Sequence, residues 1–271
     1  MKQPAALWKL RSRGLEEARQ AVKRGNPESL HDLRVALRRI AATAAALRRK
    51  RIARRARAIA RSLSRPRQLE VDRRLLARVG ALGLLSPDAV TAIAARWEKQ
   101  ASRAARRLAR ATDGNRMQRL RRRLARLARK GSGNGIKRLA AARREAESHL
   151  ARSLEGRDDR TLHRYRLAVK RARYLAEDLV ALGLPEPTGA AREKALQETL
   201  GRWNDLQTFR RRLARGRREA QRRGTIGLAA ELDHLLTVLE PVVDSARTAA
   251  VAASRHSARV VPMARELRSP A

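Results

Sequence analysis

Apolar residues recur along this chain three and four positions apart, the spacing that lines one side of an α-helix. Leu30, Leu33, Leu37 and Ile40 form one such stripe, and Leu162, Tyr165, Val169 and Ala172 form another. Ala, Leu, Arg and Glu dominate, β-branched and aromatic residues are scarce, and Gly and Pro fall in clusters at intervals. The pattern predicts an all-α protein. Helices are expected over about 4–24, ended by Gly25-Asn26-Pro27, then over 28–50 and over 52–81 with a bend at Pro66. Ser86 caps a fourth, with Pro87 in its first position, that runs to about 112, and a short basic helix follows over 117–130. After Gly131-Ser132-Gly133-Asn134-Gly135, further helices are expected near 137–154, 159–182, 188–223 and 226–256, the last interrupted at Pro241 and followed by a loose tail over 257–271.

The two halves match. At an offset of 132, His31, Arg34, Arg38 and Arg39 fall on His163, Arg166, Lys170 and Arg171. At an offset of 137, Arg57, Leu63, Leu69, Arg73 and Arg74 fall on Lys194, Leu200, Leu206, Arg210 and Arg211, with Ser64 opposite Gly201. Two registers five residues apart imply one change of loop length between otherwise matching helices. The expected architecture is therefore a duplication, with a first repeat over about 4–130 and a second over about 136–256, each an antiparallel helical bundle, the two related by pseudo-symmetry within one domain.

Beside each apolar stripe runs a cationic one. His31, Arg34 and Arg38 lie within roughly 60° of one another on a helical wheel and span about 10 Å of axis. His163, Arg166 and Lys170 repeat the arrangement. A row of that length suits several phosphates better than one. Other basic lines follow the same spacing: Arg54, Arg57, Arg61 and Arg65; Arg103, Arg106, Arg107 and Arg110; Arg119, Arg122, Arg123 and Arg126; Arg211, Arg215, Arg218 and Arg222. Like charges so placed cost about 0.2–0.5 kcal/mol per pair in an isolated helix, a cost that a long polyanion would reverse. Solvated faces in an Arg-rich protein are the competing account, and they serve the lines at 103–110 and 119–126 as well.

Composition sharpens this. The 65 basic residues outnumber 26 acidic ones, for a net charge of +39, and only 9 of the bases are lysine. Arginine's planar fork holds phosphate or carboxylate through two parallel hydrogen bonds, and a surface this cationic recruits polyanions. A hydrophobic content of 43% with helical periodicity argues for a packed core rather than disorder. The absence of Cys excludes disulfides, thiolate metal sites and cysteine nucleophiles, which suits a reducing cytoplasm. The N-terminal residues carry no signal-peptide pattern, and no apolar run is long enough to span a bilayer, so a soluble cytoplasmic protein without membrane partners is expected.

His31 and His163 are expected to donate to an anion, whose charge would raise the imidazole pKa and keep the ring protonated near neutrality. His149, His234 and His256 are expected to pack or cap. Neither His31 nor His163 sits in a metal-ligand spacing with other His, Asp or Glu, and neither a metal nor a cofactor is expected. In LQETLGRWND, residues 196–205, Gly201 is expected to let a neighbouring helix approach, while Asn204 and Asp205 orient basic side chains from the first helices of the repeat. Trp8, Trp97, Trp203 and Phe209 fit core positions. No acid/base pair, activated nucleophile, phosphate-binding Gly loop or carboxylate cluster for Mg²⁺ can be assembled.

HDLRVALRR, then HRYRLAVKRARYLAED, then LQETLGRWNDLQ, in that order and duplicated, resemble the CHAD family, the conserved-histidine α-helical domain. The likeness runs from about residue 4 to 255. It implies two pseudo-symmetric helical bundles with a basic surface or central channel that binds inorganic polyphosphate, often at polyphosphate granules. It would place His31, Arg34, Arg38, Arg39, His163, Arg166, Lys170, Arg171, Arg173 and Lys194 in the anion-binding surface, and internal symmetry adds Arg57, with Arg61 one turn further along the same line. Two departures stand out. The first half carries Ser64 and Arg67-Gln68 where the family has a Gly and an Arg-Asp pair, so its orienting acid is missing, and Arg173 faces Ala41 across the repeat.

Three functions compete at this point. Non-catalytic binding of inorganic polyphosphate leads. RNA or DNA binding is permitted by the charge, but the 2% aromatic content leaves few stacking platforms and no base-reading module is present. An enzyme acting on phosphate chains would need a metal clamp and an activating group, for which only isolated acids such as Glu198 and Asp205 offer themselves.

Overall fold

The computed structural model describes residues 4–25, 28–129, 135–152, 159–185 and 190–266. Ten α-helices make up the regular structure of the described residues: α1 (Pro4–Lys23), α2 (Ser29–Ala46), α3 (Lys50–Ser62), α4 (Ser64–Ala81), α5 (Pro87–Asp113), α6 (Asn115–Arg129), α7 (Gly135–Arg152), α8 (Asp159–Ala181), α9 (Ala190–Arg222) and α10 (Ile226–Glu266). The all-α expectation is met. No described helix is long and apolar enough to cross a membrane.

Local chemistry explains the end of α1 and the start of α5. Gly25 follows α1 at φ 71°, the left-handed geometry that glycine adopts without steric cost. Ser86 caps α5 through its Oγ, which accepts the Ala89 N–H at 3.1 Å, and Pro87 takes the first helical position where no amide donor is needed. Three ends differ from expectation. The single helix over 52–81 is two, broken at the buried Leu63 rather than bent at Pro66. Proline cannot donate to the preceding turn, so the chain ends α3 first and places Pro66 in the opening turn of α4. α10 runs through Pro241 without interruption: Pro241 and Thr237, whose carbonyl loses its helical donor, are both exposed, where water can serve that oxygen. The same helix extends to Glu266, beyond the expected loose tail from 257. The Gly-rich stretch at 131–134 lies outside the described residues.

The chain divides into two compact units that interleave in sequence. Unit 1 comprises Met1–Gln68, Ser102–His149 and Ala168–Ala190. Its core is closed by Leu7, Trp8 and Leu15 of α1, Leu33, Leu37 and Ile40 of α2, Ile52 and Ile59 of α3, Met117, Leu120 and Leu124 of α6, and Tyr174, Leu175 and Leu179 from the second half of α8. Each fully buried leucine contributes roughly 1.5–3 kcal/mol relative to exposure. Unit 2 comprises Leu69–Ala101, Leu150–Leu167 and Ala191–Ala271. Trp97 meets Phe209 edge-on at 6.3 Å within it, and Tyr165, Trp203, Leu213 and Leu235 are buried in the same unit. The four large aromatics expected in the core, Trp8, Trp97, Trp203 and Phe209, are no more than 4% exposed.

Two buried aspartates punctuate these cores. In unit 1, Asp178 accepts Arg11 Nε at 2.9 Å and Thr43 Oγ1 at 2.6 Å. In unit 2, Asp72 accepts Arg212 Nη1 at 2.5 Å, while the same guanidinium lies 4.4 Å from the Trp97 ring centroid and reaches Gln100 Oε1 at 2.8 Å. Buried carboxylates are tolerated only when paired and hydrogen-bonded in this way.

Candidate anion-binding surface

The stripe on α2 follows from its periodicity. Leu30, Leu33, Leu37 and Ile40 are buried, which turns His31, Arg34 and Arg38 to the adjoining flank. On α8, burial of Tyr165, Val169, Ala172 and Leu175 does the same for Lys170, Arg171 and Arg173.

In unit 1 these two flanks come together. Lys170 is close enough to His31 to help depress its proton affinity. Arg39 and Arg173 both reach Glu177, at 2.7 and 3.4 Å, and both guanidiniums lie over the Tyr174 ring, at 6.0 and 5.6 Å from its centroid. Arg34 Nη2 donates to Ser64 Oγ at 3.4 Å, and Arg67 of α4 stands 3.3 Å from Glu28 at the start of α2. Nine of the residues singled out from sequence therefore belong to one compact unit: His31, Arg34, Arg38, Arg39, Arg57, Arg61, Lys170, Arg171 and Arg173. His163, Arg166 and Lys194 belong to unit 2, where His163 and Lys194 are exposed and Arg166 is half-buried.

The rows are not composed solely of unmatched cations, as the sequence left them. Glu177 engages Arg39 and Arg173, and Glu145 lies 3.8 Å from Arg171. Among the described residues Arg38, Arg57 and Arg61 have no carboxylate partner, and Arg57 and Arg61 are exposed. The orienting acid absent from the first half by sequence has a substitute in Glu28, which comes from α2's own N-terminus instead of from beside Arg67.

The electrostatics of His31 run opposite to the anion-bound expectation. Partial burial, then Arg67 and to a smaller extent Lys170, push its pKa below the ordinary histidine value, against the opposing pull of Asp32 and, more weakly, Glu28. The ring is thus biased toward neutrality, a bias that a nearby anion would oppose.

Several smaller expectations fail. A Cβ built on Gly201 would meet no heavy atom within 4 Å, so no neighbouring helix needs that glycine; the close approach lies at Gly80, where an added Cβ would stand 3.0 Å from Val90 Cγ2. Asn204 Nδ2 donates to Asp205 Oδ1 at 3.3 Å, and neither reaches a basic side chain among the described residues. His234 is exposed rather than packed, and the side chains of His149 and His256 lie outside the described residues. What sequence reasoning missed is the acids. Glu177 follows Arg173 by four residues on α8, a local signal, but nothing local shows that Arg39 shares it.

The CHAD domain profile matches residues 5–214. The chain belongs to the CHAD domain family. No curated protein matches it. Among solved structures, this CHAD chain is similar to PptA from Streptomyces chartreusis, at 18% identity over 93% of this chain and 97% of that one, with a TM-score of 0.74. It is similar also to the crystal structure of the CHAD domain from the plant Ricinus communis, at 24% identity over 91% of this chain and 89% of that one, with a TM-score of 0.64. At these identities the likenesses establish the CHAD fold alone. The profile match ends within α9, so α10 lies beyond it, whereas the structural likeness continues over nearly the whole chain.

Proposed function

We propose that this CHAD protein binds inorganic polyphosphate without performing chemistry on it, through the surface of unit 1 where α2 meets the second half of α8. The observation that carries this reading is the meeting of the two rows: Lys170 acts on His31, and Arg39 and Arg173 converge on one carboxylate. An anion that displaces Glu177 inherits two guanidiniums over a tyrosine face, with Arg38, Arg34 and His31 continuing along α2. Such a line is read by an extended chain of phosphates. His163, Arg166 and Lys194 belong to the same proposal as a second row on unit 2, and cytoplasmic localisation at polyphosphate granules follows from it. The net charge of +39 supplies the long-range attraction.

A titration with polyphosphate across ionic strengths tests this. Neutralising many phosphates releases many counterions, so affinity should fall steeply with salt. Arg34→Ala/Arg38→Ala and Arg166→Ala/Lys170→Ala should each weaken binding and flatten the salt dependence while leaving the helical content unchanged. Binding that is absent or insensitive to salt overturns the reading, as does RNA or DNA bound more tightly than polyphosphate at equal salt. Phosphate release on incubation with Mg²⁺ or Mn²⁺ and polyphosphate would overturn its non-catalytic part.

A further inference from the structure

A second basic feature of unit 1 lies between α3 and α6, apart from the α2–α8 surface. It is a cleft of about 510 Å³, lined among the described residues by Arg51, Arg54, Arg55, Ala58, Asn115, Arg116, Arg119 and Arg123. The helical period puts them there. Arg51, Arg54, Arg55 and Ala58 follow the i, i+3, i+4, i+7 rule on α3, while Ile52, Ala56 and Ile59 turn inward. Arg116, Arg119 and Arg123 do the same on α6, on the flank beside the buried Met117, Leu120 and Leu124.

Three observations set this cleft apart from a solvated basic face. None of its six arginines has a carboxylate partner among the described residues, although arginines elsewhere in the unit commonly do. The other side of α6 shows the contrast: the groove shared with α1 carries Arg13, Arg121, Arg122 and Arg129 but also Glu16 and Glu17, and Arg121 Nε stands 2.9 Å from Glu16. Arg55, moreover, holds its Nη1 buried with no hydrogen-bond partner, a donor the fold leaves unmet at a cost. Its guanidinium is destabilised first by burial and then by Arg123 and Arg119, so the charge is held where the empty protein resists it.

We propose that the α3–α6 cleft is a second anion site, taking a compact oligophosphate of a few phosphoryl groups. Arg51, Arg54 and Arg55 line the cleft from α3 and Arg116, Arg119 and Arg123 line it from α6, so a short anion is gripped from two helices at once, and its oxygens supply the acceptor that Arg55 Nη1 lacks. No aromatic side chain lines the cleft among the described residues, so it offers nothing for a base to stack on. The chemistry therefore fits an inorganic oligophosphate in preference to a nucleotide. The sequence offered Arg119 and Arg123 only as part of a line that solvation could equally explain; the pairing with α3 is tertiary. This site stands independently of the polyphosphate reading for α2 and α8.

Calorimetric titration of the full chain with inorganic triphosphate tests it, with ATP as a second ligand and thermal melts as a check on folding. The wild type should bind triphosphate with a rise in melting temperature and bind ATP no better. Arg51→Gln/Arg119→Gln, both exposed positions, should weaken triphosphate at least tenfold with an unchanged melt in its absence. Arg34→Ala/Arg38→Ala should leave it intact, which separates this site from the α2–α8 surface. Arg55→Met should abolish most of the triphosphate-induced melting shift while melting no lower than wild type when unliganded. The proposal is overturned if wild type fails to bind triphosphate, if Arg51→Gln/Arg119→Gln binds it as wild type does, or if the Arg34/Arg38 variant loses it equally.

Discussion

Arg39 Nε stands 2.7 Å from the Glu177 carboxylate, and the same acid is shared with Arg173 at 3.4 Å. Arg39 lies on α2 and Glu177 on α8, so this one acid ties together the two helices whose cationic flanks meet in unit 1. It also occupies two of the cations that the proposed polyphosphate would contact. On that reading Glu177 is both an organiser of the surface and a competitor for it.

Neutralising that competitor should strengthen binding. Glu177→Gln keeps the shape of the side chain, removes one negative charge and releases two guanidiniums. Half-exposed ion pairs are worth up to about 1 kcal/mol, so polyphosphate affinity should rise roughly two- to fivefold at low salt, with a steeper salt dependence. Titrations at two ionic strengths would show it. Weaker binding would mean that Glu177 positions its arginines more than it blocks them.

His31 should make both stability and binding depend on pH. Its folded pKa is depressed by partial burial and by Arg67 and Lys170, so the unfolded chain takes up this proton more readily. Stability from this group is complete above the ordinary histidine range and declines as pH falls below about 6.5. A bound polyanion opposes the depression, so binding should take up a proton and tighten on acidification. Melts between neutral and mildly acidic pH, and calorimetry in two buffers of different ionisation enthalpy, report these effects; His31→Gln should diminish both.

Asp178 should matter for folding and not for the ligand directly. The carboxylate is fully buried, burial pushes its pKa up, and Arg11 and Thr43 pull it back. Asp178→Ala would leave Arg11, itself only 9% exposed, as an uncompensated cation, at a cost of about 3–5 kcal/mol in urea unfolding. Replacing both partners, as in Arg11→Met/Asp178→Leu, should recover most of that loss.

In unit 2 the matching test is Arg212. Arg212→Lys keeps the charge but loses the planar fork that serves Asp72, Gln100 and the Trp97 face together. It should destabilise by roughly 1–3 kcal/mol, and Arg212→Ala by more. Equal stability of Arg212→Lys and wild type would show that charge alone suffices there.

Acid unfolding has a second contributor besides His31. Glu16 is held down to about 2, chiefly by its hydrogen bond from Arg19, with Gln20 and Arg121 adding to the pull. Its stabilisation is complete above the ordinary glutamate range and fades as pH falls toward 2; since the side chain is 34% exposed, roughly 1 kcal/mol is expected from Glu16→Gln at neutral pH and little at pH 2.

The sequence by itself determined the helices and which side of each is cationic. A period of 3.6 residues is a local property, so the buried faces of α2 and α8, and with them the directions of His31, Arg34, Lys170 and Arg173, could be read without neighbours. Capping chemistry at Gly25 and Ser86 was equally local. Only the tertiary structure decided which cations are answered. Glu177 reaching Arg39, Glu28 reaching Arg67, Asp178 holding Arg11 and the six arginines of α3 and α6 lining one cleft all join residues far apart in sequence or on different helices. Charge in a sequence is a sum over residues, whereas electrostatic energy depends on distances that exist only after the helices have packed.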